Sequence, residues 1–273
     1  MPRRSPATSG STSRAPSRGS EIRRALLCLL VAGCASHPAI DTTYESASQG
    51  SRVRFLVIHY TEADFPSALK ILTEGPVSAH YLVRDDPPVV YRLVDENRRA
   101  FHAGEGSWQG KTEVNSASIG IEIVNRGYRA DAGTWQEFPD KQIDAVLALA
   151  KAIAERHGIT PDRIVGHSDI APQRKVDPGP RFPWKRFADA GLIRWPDPAE
   201  VARRRPAFEA RLPDVDWFQQ ALETFGYAAP RNGELDEATV HVIAAFQMRH
   251  RPSRYDGVPD AETAAILDVL VNP

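Results

Sequence analysis

At 273 residues the chain is long enough for one or two domains. Its 42% hydrophobic and 25% charged residues are ordinary for a soluble globular protein. The net charge of −1 conceals six Arg against one Glu in residues 1–33, so the remainder is acidic and has no basic face for nucleic acid.

Residues 1–20 are rich in Ser, Arg and Pro, a composition expected to stay disordered. Arg23 and Arg24 precede an apolar run at 25–33, too short to span a bilayer but suited to a signal-peptide core. Leu30-Val31-Ala32-Gly33-Cys34 resembles a bacterial lipobox. That resemblance makes 1–33 a signal peptide with a disordered leader and Cys34 the lipidated first residue of the mature chain. Ala35, where an acidic residue would signal retention, points by the same resemblance to the periplasmic face of the outer membrane. Cys28 and Cys34 are the only cysteines, which rules out a disulfide in the mature fold and a Cys-ligated zinc.

Residues 34–50 are polar and aperiodic and read as a tether. The β-prone run RVRFLVIHY (52–60) predicts a central strand. Pro66 opens a short helix over 66–74. HYLVRD (80–85) and VVYRLVD (89–95) predict two strands joined by an Asp85-Asp86-Pro87-Pro88 turn. In SIGIEIVN (118–125), Ile119, Ile121 and Ile123 alternate with Gly120 and Glu122, the pattern of another strand. Pro139 and Asp140 open a helix over 140–157. Its apolar stripe is Ile143, Val146, Leu147, Ala150 and Ile153, and Gly158 ends it. A strand at 163–166 and a short helix at 184–190 follow. Residues 195–213, rich in Pro and Arg, read as a wrapping segment or linker. Three helices at 214–225, 236–250 and 260–270 complete the chain, with Asp236 and Asp260 as caps. Phe246, Leu222, Val242 and Leu267 are their expected core. The predicted architecture is α/β: a mixed central β-sheet flanked by helices over 51–194, a linker over 195–211, and a small C-terminal three-helix bundle over 212–273.

The loop GHSDIAPQRKVDPGP (166–180) gathers His167, Lys175 and Asp177 in a stretch whose prolines and glycines oppose a helix. His59 ends the first strand and His167 ends the 163–166 strand. With Asp177 they form a His-His-Asp set at strand ends, the three-ligand pattern of a catalytic zinc. A single histidine would more often be an ordinary core or surface residue; two at strand ends beside a Pro-flanked Asp reverse that weighting. Glu122 is the candidate general base, because an acid inside an apolar strand needs a reason. The competing account places it on the solvent face of the alternation. Lys175 is a candidate partner for a developing oxyanion.

VIHYT (57–61), SAHYLV (78–83), FHAG (101–104), SIGIEIVN (118–125) and GHSDIAPQRKVDPGP (166–180) occur in the order found in zinc N-acetylmuramoyl-L-alanine amidases. That family shares its fold with peptidoglycan recognition proteins. Residues 226–263 resemble a three-helix peptidoglycan-binding domain, and with the lipobox the whole chain resembles an outer-membrane, lipid-anchored amidase. The resemblance implies one Zn2+ per chain on His59, His167 and Asp177, Glu122 as base and Lys175 as oxyanion stabiliser. It further implies hydrolysis of the amide between N-acetylmuramic acid, anhydro forms included, and L-alanine of the stem peptide. Peptidoglycan and muropeptides would be the partners, the membrane would be reached through Cys34, and the protein would be a monomer. His80, His102 and Trp108 fall near the family's cleft positions, and Arg174 could meet a stem-peptide carboxylate. For His80, a core role hydrogen-bonded to backbone is an equal alternative. Tyr227 and Tyr255 are candidate wall contacts in the C-terminal segment, whose four basic and ten acidic residues offer no attraction to anionic polymers.

Two rivals stand beside this expectation. A metal-free peptidoglycan recognition protein would keep the fold but lose a ligand; here His59, His167 and Asp177 are all present. A metallo-carboxypeptidase cutting within the stem peptide is distinguished only by the family resemblance.

Overall fold

The computed structural model describes residues 38–273. The expected signal peptide and Cys34 lie outside the described residues. Residues 38–50 are exposed and form neither helix nor strand. Residues 48–273 form one unit.

Its centre is a five-stranded sheet of β1 (Phe55–Tyr60), β2 (Tyr81–Val83), β3 (Val90–Arg92), β4 (Ser118–Ile123) and a last strand, Ile164–Gly166. A separate two-stranded hairpin, β5 (Tyr128–Arg129) and β6 (Thr134–Trp135), makes that last strand β7. The order is β3-β2-β4-β1-β7, parallel except for β3 against β2. Helices α1 (Phe65–Glu74), α2 (Val114–Ala117) and α3 (Asp140–His157) run between the strands, and α4 (His167–Ile170) and α5 (Trp184–Asp189) follow β7. Strand alternation gives the sheet two different faces. Leu56, Ile58, Ile119 and Ile121 turn to one side and are buried in the cluster that includes Ile143 and Ile153 of α3. Phe55, Val57 and Val165 turn to the other and belong to a second cluster. His59 and Glu122, paired across β1 and β4, lie on that second face.

The helix over 140–157 ends as its sequence predicts. Gly158 adopts φ 66, ψ 37, and its N–H donates to Ala154 O. This left-handed close suits glycine, which has no Cβ to clash.

The 195–213 segment departs from the irregular connection its prolines suggest. Residues Pro198–Ala210 form a helix, α6, packed along a C-terminal one. Asp197 caps it by accepting from Ala199 N–H, and Pro198 stands at its first position. Glu200–Arg204 and Arg205–Glu209 pairs run along it, and Arg204 reaches Asp268. These contacts outweigh Pro206 in its interior. The remaining helices are α7 (Val215–Phe225), α8 (Glu237–His250) and α9 (Ala261–Val271), capped by Asp214, Asp236 and Asp260 respectively. Phe246, Leu222, Val242 and Leu267 are buried as expected. The second face of the sheet shares its cluster with these helices: Trp108 and Val165 are in one core with Phe218 and Phe246. Among the described residues no helix is long and apolar enough to cross a membrane.

Candidate active site

The site forms where the C-terminal ends of β1, β4 and β7 meet the 166–180 loop. Parallel pairing places His59 of β1 level with Glu122 of β4. His167 opens α4 directly after β7. This α4 turn corrects the expectation of a wholly non-helical loop. Pro172 lies beyond it, so residues 167–170 are free to coil, and only 171–180 stay irregular. Ser168 N–H donates to Asp177 O at 2.8 Å, which folds the loop back so that Asp177 returns beside His167.

Three donor atoms converge. His59 Nδ1 lies 3.0 Å from His167 Nδ1, and Asp177 Oδ2 lies 3.1 Å from each. All three residues are buried. Hydrogen bonding fixes which ring nitrogens carry protons. Ser118 Oγ donates to Val114 O at 2.5 Å, so it accepts from His102 Nε2 at 3.1 Å. A neutral His102 then accepts at Nδ1 from His59 Nε2–H, 3.0 Å away. His59 Nδ1 is left with a bare lone pair. His167 Nε2–H donates to Ala103 O at 3.0 Å, and its Nδ1 is bare by the same reasoning. Two lone pairs and a carboxylate oxygen thus face one another with no proton among them. Such an arrangement is unfavourable unless a cation joins it. For tetrahedral bonds of about 2.0–2.2 Å, ligand atoms stand roughly 3.3–3.6 Å apart, close to the spacing seen. The donor set therefore fits a zinc-sized ion.

The electrostatics agree. Burial lowers His59 to about 4, helped by His167 and opposed by Asp177, so the ring is neutral and free to ligate. Burial works against ionised Asp177; protonated His167 and His59 would hold the carboxyl well below its usual range, and in the proton-free arrangement a cation has to take their place. Glu122 is pushed well above its usual range by burial and by Asp177, with Lys175 opposing. A dication in the site would act against that rise. Glu122 Oε2 is buried without a hydrogen-bond partner among the described residues. A buried carboxylate oxygen left unpaired is costly unless water or substrate meets it. The alternation therefore turns Glu122 into the site rather than to bulk solvent.

A cleft of about 410 Å³ opens over the donors, lined by Glu122, His102, His167, Arg174, Lys175 and Asp177 among others. Lys175 is exposed at its rim. Arg174 also lines it, but its guanidinium donates to Ala103 O and Glu105 O, which anchors it to the neighbouring loop. His102 both lines the cleft and supports His59. Its ring lies against the strand at Gly120, where a Cβ would fall 2.5 Å from the imidazole. This is the physical requirement for glycine in SIGIEIV.

Two expected substrate contacts are corrected. His80 is fully buried, accepts from Gly120 N–H at 3.0 Å and donates to Arg98 O at 3.1 Å. Both nitrogens are committed to backbone, the alternative the sequence left open. Trp108 is 1% exposed, donates to Asp162 O, and packs on Phe225 and Tyr227. It joins catalytic and C-terminal helices instead of stacking on sugar. Tyr227 is equally buried, with its hydroxyl on Asp169, while Tyr255 accepts from Trp135 Nε1. Ser118, Asn115 and Asp169 escaped sequence reasoning. Asn115 Oδ1 accepts from the N–H groups of His102 and Ala103. Only the Ser that opens SIGIEIV carried a signal, a small hydroxyl on the same strand face as Glu122.

Fold and site together define a hydrolase architecture with a candidate metal centre: a mixed sheet presenting a His-His-Asp donor set beside a half-buried carboxylate. Residues 49–180 match the N-acetylmuramoyl-L-alanine amidase family model, and residues 211–267 match that of a putative peptidoglycan binding domain. The chain is 41% identical to N-acetylmuramoyl-L-alanine amidase AmiD of Escherichia coli, over 89% of this chain and 94% of that one. It belongs to the N-acetylmuramoyl-L-alanine amidase family. Among solved structures, AmpDh3 of Pseudomonas aeruginosa superposes with a TM-score of 0.80 at 42% identity, covering 86% of this chain and 98% of that one. E. coli AmiD in complex with anhydro-N-acetylmuramic acid-L-Ala-D-gamma-Glu-L-Lys superposes with a TM-score of 0.76 at 40% identity, covering 85% and 93% respectively.

Proposed function

We propose that the protein hydrolyses the amide joining N-acetylmuramic acid, in ordinary and anhydro forms, to L-alanine of the stem peptide, with one zinc ion per chain. The observation that carries this reading is the trio of proton-free donors, His59 Nδ1, His167 Nδ1 and Asp177 Oδ2, beside the unpartnered Glu122 oxygen. Near-full-length identity to an amidase assigns the bond. The complete donor set weighs against a metal-free recognition protein.

His59, His167 and Asp177 would hold the zinc, which when bound supplies a Lewis acid and lowers the pKa of water to about 7. Glu122 takes the proton of the attacking water and then delivers it to the departing alanine nitrogen. Glu122 lines the cleft, and no side chain or backbone group competes for its Oε2. Lys175, at the cleft rim, donates to the carbonyl oxygen of the lactyl group as negative charge grows there. His102 and Ser118 hold His59 in the ligating tautomer. The lipobox-like run ending at Cys34 supports a lipid anchor at the periplasmic face of the outer membrane.

Metal analysis of the purified full chain should find about one zinc per chain, lost in His167→Ala. A folded wild-type chain that takes up no zinc refutes the mechanism.

A further inference from the structure

The buried carboxylate of Asp169 lies two residues beyond His167, is 1% exposed, and takes no part in the mechanism above. Its partners account for its burial. Oδ2 accepts from Gly166 N–H at 2.7 Å, the hydrogen bond that sets the turn carrying His167. The other two partners come from the C-terminal helices. Arg249 Nη1 of α8 donates to Oδ2 at 2.6 Å, and the Tyr227 hydroxyl, just past α7, donates to Oδ1 at 2.5 Å. Arg249 and Tyr227 are 4% and 2% exposed, so neither is a surface contact. Arg249 is itself fixed on the catalytic side: Nη2 donates to Ile164 O of β7, and the guanidinium lies 4.1 Å from the Trp184 ring centroid. A second tie grips the same loop further on, where Gln173 donates to Ala238 O and meets His241 Nδ1, both on α8.

Both ties fall between His167 and Asp177, the two ligands this loop supplies. The Ser168 N–H to Asp177 O hydrogen bond couples the clamped turn to the second ligand. We infer that Tyr227 and Arg249 are positioning residues for the metal site. Acting through Asp169, the C-terminal domain holds the His167–Asp177 loop in ligating geometry. The peptidoglycan-binding-like domain is thereby a structural part of the active site. This rests on the zinc-amidase reading. A buried carboxylate must be paired, and removing its cation leaves an uncompensated charge beside the turn. Groups that orient metal ligands typically govern affinity by about 10–100-fold.

The test uses the full chain with three substitutions. Arg249→Met removes the cation, and Tyr227→Phe removes one hydroxyl while keeping the ring on Trp108. Arg204→Met breaks the α6–α9 tie to Asp268, away from the loop. Zinc affinity is read by competition with a chromophoric chelator, kcat and KM at saturating zinc, and Tm by circular dichroism. The expected result is weaker zinc binding, by about 10-fold or more in Arg249→Met and less in Tyr227→Phe. In both, kcat falls at little-changed KM. Arg204→Met lowers Tm and leaves zinc affinity at the wild-type value. Should Arg249→Met fail to fold, Tyr227→Phe decides. Wild-type zinc affinity and kcat in the folded variants overturn this inference alone. A wild-type chain that binds no zinc overturns the zinc reading and this inference with it.

Discussion

The two faces of the central sheet are made by the same strands and are held to different standards. On the α3 face, Ile119 and Ile121 of β4 need only be apolar and of the right volume, because burial does not depend on direction. On the opposite face, Ser118, Gly120 and Glu122 of the same strand each answer to a particular atom. Ser118 receives the His102 N–H, Gly120 makes room for its ring, and Glu122 offers a carboxylate to the cleft. One face stores stability. The other spends some of it, since it gathers the buried His59, His102, His167 and Asp177 and the half-buried Glu122 close together.

Substitutions on neighbouring residues should separate these roles. The largest effect belongs to the donors: Asp177→Ala should abolish zinc binding and remove all measurable turnover, read by metal analysis and by peptide release. Retained zinc would move the site elsewhere. Next come adjacent residues of β4. Glu122→Gln should lower kcat by about 10²–10⁴-fold with zinc still bound. Ile121→Ala, one position away on the other face, should cost about 2–5 kcal/mol in urea unfolding and leave kcat of the folded enzyme near wild type. If Ile121→Ala changes kcat as Glu122→Gln does, the division between faces fails. His102→Ala should weaken zinc by about 10–100-fold, measured by chelator competition, because His59 loses the partner that fixes its tautomer.

The smallest effect is a pH dependence. Folding raises the Glu122 pKa, so the native metal-free chain holds a proton that the unfolded chain releases above about pH 4.5. Wild-type stability should therefore fall, through this group, as pH rises from 4.5. Glu122→Gln does not titrate. The Tm advantage of metal-free Glu122→Gln over metal-free wild type should grow from pH 5 to pH 8; a constant difference would place Glu122 in solvent.

The same division explains what was legible in the sequence. Period-2 and period-3.6 patterns mark β1, β4 and α3, because apolar faces repeat and packing tolerates exchange. His59, His167 and Asp177 stood out through their places at strand ends and in a Pro-rich loop, and Glu122 through its apolar surroundings. The supporting network did not stand out. Nothing local tells that Ser118 would meet His102, sixteen residues back, or that Asp169 would meet Tyr227 and Arg249. Trp108 and Tyr227 misled because an aromatic with a polar edge suits a sugar platform and a buried interface equally. Helix α6 was hidden by Pro206, although Asp197-Pro198 and the Glu-Arg pairs at helical spacing announced it.

The central claim meets its most direct test in the products of one digestion. The full chain, incubated with an anhydro-N-acetylmuramyl peptide and analysed by mass spectrometry, should release an intact sugar and a peptide beginning with alanine. A chelator should stop the release and added zinc should restore it. Cleavage between amino acids, or release indifferent to the chelator, would contradict the account.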